Sequence, residues 1–328
     1  LCARALETPC RWPGTMDSRP EEADVARYLE LGFETAGPGD GVHRARLLLL
    51  QAFWQHAYPR PPERAGEAVY GPEASLRAGE DAAAMAARLG RPDLESAACD
   101  GIAAVHIPAG RYDKALAATA RRIELAPLIS DPWERGDIHA MGGWVNYHIG
   151  RYGDTFRHAD TGFSQMVDEV PSVALHSLMW RGLARFEIGE WPELFEDLER
   201  ARLILGERSG EPPHFCSPLF AVASLAYEIR GEAAAADEIL RILTTVHEHA
   251  EPRYRDTGPL TRWAEFVAPL MARRGDVAAA RDLLAATAWR RGTRQGLLLQ
   301  AECEVAGRAA AWEEAPHLAR HARAYACL

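Results

Sequence analysis

The stretch from Ser96 to Pro127, SAACDGIAAVHIPAGRYDKALAATARRIELAP, decides the fold. Its apolar residues recur every three or four positions on both sides of Ala109-Gly110-Arg111-Tyr112, the pattern of two amphipathic helices joined by a tight turn. Such a pair cannot bury its apolar face alone, so it predicts a stacked array.

Downstream copies repeat the pattern. Turn glycines fall at Gly110, Gly150, Gly189, Gly231 and Gly275, spaced by 40, 39, 42 and 44 residues. Seven residues before each stands a small residue: Ala103, Gly143, Gly182, Ser224 and Ala268. Five after each stand Ala115, Thr155, Leu194, Ala236 and Ala280, and an aromatic (Tyr112, Tyr152, Trp191) follows the first three glycines by two residues. The small residue lets two helices approach closely, the glycine lets the chain reverse, and the aromatic covers the hinge. The expected fold is therefore all-α, a right-handed α-solenoid of antiparallel helix pairs. The pairs are expected at 94–108/112–126, 132–149/152–167, 172–188/191–206, 216–230/232–249 and 260–274/276–289.

Working outward, helices are expected over 21–35, 41–58 and 72–89, ending at Ala36-Gly37-Pro38-Gly39, Pro59-Arg60-Pro61-Pro62 and Gly90-Arg91-Pro92. Residues 1–20 show no period and are expected to be irregular, with Met16 a plausible start. Residues 21–328 are expected to form a single solenoid. Its clearest repeats lie over 94–289, and a more polar terminal capping pair over 293–328.

Composition narrows the function. Hydrophobic residues are 48% and charged residues 26% of the chain, an ordinary globular mixture. The net charge of −10 without a Lys/Arg run argues against direct nucleic-acid binding. The pairs Arg121-Arg122, Arg273-Arg274 and Arg290-Arg291 are read as helix-end cations. Cys2, Cys10, Cys99, Cys216, Cys303 and Cys327 are scattered, without a C-x-x-C pair, and read as reduced, mostly buried thiols. The longest apolar run, Leu47 to Leu50, is read as one helix stripe, so no membrane span or secretory signal is expected and the location expected is cytoplasmic.

The repeat resembles the tetratricopeptide family. That family's landmark positions fall here on Cys99, Ile102-Ala103, His106, Ala115, Thr119 and Pro127. The small, alanine and proline positions match, the aromatic ones do not, and the unit is longer than the family's 34 residues. The run Glu80 to Pro92 is similar in texture to the helical region of large actinobacterial signalling ATPases and transcriptional regulators. That resemblance spans about residues 21 to 310 and implies a sensor or scaffold module, linked in its parent protein to an ATPase or cyclase domain. No phosphate loop of the form G-x-x-x-x-G-K-S/T occurs in the chain itself.

No catalytic constellation emerges, and no cofactor or metal is expected. His317 and His321 lie one helical turn apart, a spacing able to ligate zinc, and the alternative is an enzyme on a helical-repeat scaffold with a metal or small-molecule site there or in the groove. The simpler reading is exposed histidines near a chain end, and His247-Glu248-His249 reads as a polar helix terminus. The favoured function is a groove on the first helices that binds a protein or peptide partner. Its candidate residues are Asp100, Asp137, Trp144, His148, His176, Met179, Glu187, Arg262 and Glu265, with Phe186 as a further apolar anchor.

Overall fold

The computed structural model describes residues 2–16, 20–60, 68–206, 212–249, 263–287 and 291–308. Every regular element among them is a helix. The chain is an α-solenoid of stacked antiparallel helix pairs. Where one continuous body was expected over 21–328, packing divides the chain into two compact units, Leu1–Trp180 and Arg181–Leu328.

The first unit opens with two short helices, α1 (Cys2–Ala5) and α2 (Glu7–Arg11), and a 3-10 turn at Pro13–Thr15. It continues through α3 (Glu22–Ala36), α4 (Val42–Ala52), α5 (Trp54–Ala57), α6 (Pro72–Arg88), α7 (Pro92–His106), α8 (Tyr112–Leu125), α9 (Pro132–His148) and α10 (Tyr152–Met166). Helix α11 (Pro171–Ile188) contains the division between the units. The second unit holds its C-terminal part with α12 (Trp191–Gly206), α13 (Ser217–Ile229), α14 (Ala233–His249), α15 (Ala264–Arg273), α16 (Val277–Thr287) and α17 (Arg291–Arg308).

The repeat grammar of the sequence is the packing grammar of the molecule. All five turn glycines, and Gly90 before them, have φ between 62° and 90°. At each, the residue after the glycine donates its N–H to the carbonyl five residues back, as in Arg111 to His106, Arg151 to Asn146 and Glu232 to Tyr227. That is the Schellman closure of a helix C-terminus. Ala115, Thr155, Leu194, Ala236 and Ala280 are all fully buried. They meet the small residues twelve positions earlier: the Ser224 hydroxyl donates to Ala236 O at 3.0 Å, and a Cβ at Gly182 would stand 3.2 Å from Leu194 Cδ1. Trp191 covers its hinge by stacking on Phe186 and donating Nε1–H to the Phe186 carbonyl at 3.2 Å.

The N-terminal segment corrects the expectation of irregular chain. Ala3, Leu6 and Cys10 follow i, i+3, i+7 spacing and are buried against Val25, Leu29, Leu47, Leu50 and Trp54. Pro9 and Pro13 hide that stripe from a reading that treats proline as a breaker. The same contact corrects the reading of Leu47 to Leu50 as one stripe, since all four are buried. Leu48 and Leu49 face α6 and α7, while Leu47 and Leu50 face the N-terminal helices. The expected 41–58 helix is interrupted at Phe53, between α4 and α5.

Candidate functional site: a ring cluster and a buried ion cluster

Trp144 and His148 are one turn apart on α9, and His176 and Trp180 are one turn apart on α11, so each pair shares a helix face. The two faces meet. Trp144 and Trp180 lie near-parallel with ring centroids 6.4 Å apart and an interplanar angle of 27°. His148 and His176 each approach Trp180 with centroids 6.0 Å apart, and Tyr147 closes to 5.7 Å. Gly143 makes the approach feasible, because a Cβ there would already sit 3.3 Å from Trp180 Cβ. Trp144, His148 and His176 are half-buried. Trp180 is only 7% exposed, and its indole N–H has no acceptor. An indole nitrogen donates and never accepts, so the group this cluster lacks is a hydrogen-bond acceptor.

The structure thus brings together three of the residues singled out from sequence and adds Trp180 and Tyr147, which were missed. The signal for Trp180 was its i+4 spacing from His176, facing the Trp144/His148 pair of the previous first helix.

The other candidates lie elsewhere. Asp100 and Asp137 are not groove residues: both are 5% exposed and face the Arg122 guanidinium on α8, at 2.9 and 2.8 Å. Arg122 lies in the last turn of α8, as read from sequence, but it is 1% exposed and also pairs with Glu134 at 3.1 Å, so it is a buried ion-cluster residue. Arg11 enters the same cluster from α2, 2.8 Å from Glu134, and Ser96 donates to Glu134 at 2.7 Å. Three buried carboxylates face two guanidiniums, so one carboxylate favours keeping a proton. It is Asp100: burial, opposed by Arg122 and reinforced by Asp137, pushes it up to about 7. Glu134, despite its burial, is held down at about 2 by Arg11 and Arg122.

Met179 is 2% exposed and Glu265 4% exposed, both interior. Glu187 is half-buried in the part of α11 that belongs to the second unit, and Phe186 packs edge-on to Phe266 at 5.7 Å. Arg262, His317 and His321 lie outside the described residues. Among the described residues no group of three or more His, Cys, Asp or Glu side chains could hold a metal ion, and no helix is long and apolar enough to cross a membrane.

Two further clusters are structural. His139 and His158 meet across α9 and α10 with Nδ1 atoms 3.5 Å apart, the His158 ring occupying space left by Gly142. Burial, then the neighbouring His158 and Arg122, push His139 down to about 4. In the second unit, fully buried Asp197 gathers Arg181, Arg185 and Arg200 at 2.6, 2.7 and 3.3 Å. Cys10, Cys99 and Cys216 are buried and free, with burial pushing their thiols up to about 12, 11 and 12.

No family model matches the chain, and no curated protein does. Among solved structures it is similar to a Rap protein, determined in complex with Competence and Sporulation Factor. The TM-score is 0.69 over 98% of this chain and 84% of that one, at 10% sequence identity. At that identity the likeness speaks to fold, and the fold it shows is a tetratricopeptide-like helical array.

Proposed function

We propose that the chain is a regulatory interaction scaffold that binds a segment of a partner protein at the ring cluster of α9 and α11. The observation that carries this reading is Trp180, a buried indole whose N–H lacks an acceptor amid half-buried Trp144, His148 and His176. An extended peptide has what the cluster lacks: a main-chain carbonyl for the indole, and an apolar or ring side chain to lie against Trp144. Aromatic anchors of this type dominate binding energy at protein interfaces. The likeness to a Rap protein in complex with a factor gives the same fold a binding precedent. The reading needs no bond-making chemistry. It also fits a cytoplasmic module whose partner is a separate protein or a linked ATPase or cyclase domain.

Selection of a random displayed peptide library against the full chain tests it. Enriched peptides are expected to bind the parent and to lose tenfold or more in affinity with Trp144→Ala/His176→Ala. Trp180→Phe, which keeps a ring but removes the N–H, is expected to cost several-fold. Enriched peptides that bind the double variant as tightly as the parent would place recognition elsewhere and reject the proposal.

A further inference from the structure

A separate cavity, in the first unit, lies where α1 and α2 meet α4 and the N-terminal turns of α7 and α9. Its volume is about 340 Å³, enough for a small molecule. Arg4, Arg11 and Arg46 line it, and so do the carboxylates of Glu7, Asp93, Asp131 and Glu134.

Counting partners separates the two signs of charge. Each carboxylate is already engaged. Glu134 holds Arg11, Arg122 and Ser96, and Asp93 takes two hydrogen bonds from Arg91. Asp131 accepts from the Trp133 amide as the N-cap of α9, and Glu7 lies 3.7 Å from Arg11. The four do not form a group that could hold a metal ion. The guanidiniums, in contrast, have capacity to spare. Arg4 and Arg46 have no ion-pair or hydrogen-bond partner among the described residues. Arg11 is 7% exposed, and its Nε–H is buried without an acceptor. The cavity also borders the first turns of two helices of 15 and 17 residues, whose dipoles favour negative charge.

We propose that this cavity is a binding site for a small oxyanion, a carboxylate or phosphate group, held by Arg4, Arg11 and Arg46. The planar guanidinium fork matches either group through paired hydrogen bonds. The anion would join residues of the N-terminal helices, Arg4 and Arg11, to Arg46 on α4. This site is independent of the ring cluster.

Calorimetric titration of the full chain at low ionic strength tests it, with inorganic phosphate and malonate as probes and sodium chloride as the control for general screening. Saturable one-site binding of at least one probe is expected, weakened tenfold or more in Arg46→Gln. Arg46 has no partner to lose, so this variant is expected to keep the parent's helical circular dichroism. Phosphate alone would identify a phosphate ligand, malonate alone a carboxylate, and either supports the site. If neither probe saturates, or Arg46→Gln binds as the parent does, the proposal is overturned. Calcium binding that depends on Glu7 and Asp131 would also overturn it, by making the cavity a cation site.

Discussion

Arg122 shows how much of the first unit depends on one side chain. It faces Asp100, Glu134 and Asp137 from a position 1% exposed. Arg122→Ala would leave those buried carboxylates with Arg11 alone, and removing one partner of a buried ionic cluster costs about 3–5 kcal/mol. Urea unfolding is expected to show a loss of that size; a shift under about 1 kcal/mol would mean that water already reaches the cluster. Asp100 gives the cluster a pH signature. Its carboxyl, near 4 in an unfolded chain, is raised to about 7 when folded, so folding takes up a proton. That contribution is full below about pH 4 and is lost as pH rises to about 7. Asp100→Asn is therefore expected to raise the unfolding midpoint relative to the parent at about pH 8, and to lose the advantage by about pH 4. His139 has the opposite slope. Its imidazole, near 6.5 when unfolded, is driven down to about 4, and His158 is lowered too. The stability of the neutral pair is full above about pH 6.5 and lost as pH falls toward about 4. His139→Gln should flatten that limb, as thermal melts between about pH 4 and 7 would show.

At the scale of the helix pair, close approach is the controlling variable. A Cβ at Gly182 would lie 2.2 Å from Leu219 Cδ1 and 3.2 Å from Leu194 Cδ1, both fully buried leucines. Gly182→Ala is expected to destabilise the second unit by about 1–3 kcal/mol despite alanine's better helix propensity. A stabilised variant in urea titration would show that the pair relaxes freely. The elements from α7 to α16 were legible in the sequence, because glycine, small residue and buried partner recur at fixed offsets that any helix pair needs. The site was legible only in part. Trp144, His148 and His176 come together around Trp180, whereas Asp100 and Asp137 turn inward. Spacing places a side chain on a helix face, but a buried arginine on the neighbouring helix decides whether an aspartate there meets water. Arg122 stands in the same repeat as Asp100, but an arginine beside a second arginine near a helix end gives no sign in the sequence that it is buried.

At the scale of the molecule, the N-terminal helices behave as part of the core. They bring Arg11 to Glu134 across 123 residues of sequence, and their apolar side pairs with Leu47, Leu50 and Trp54. A chain starting at Pro20 is expected to unfold at lower urea concentration and to expose those apolar residues to a hydrophobic dye; an unchanged midpoint would show that the segment merely rests on the surface. The cysteines allow such openings to be followed without adding any label of foreign design. Cys10 and Cys99 are sealed in the first unit and Cys216 in the second, each with its thiol pushed far above neutrality. A thiol in that condition is inert to alkylation until its surroundings open. Mass-resolved alkylation of these three sites therefore gives the protein two internal clocks, one for each half, which tick together if the halves melt as one and separately if they do not.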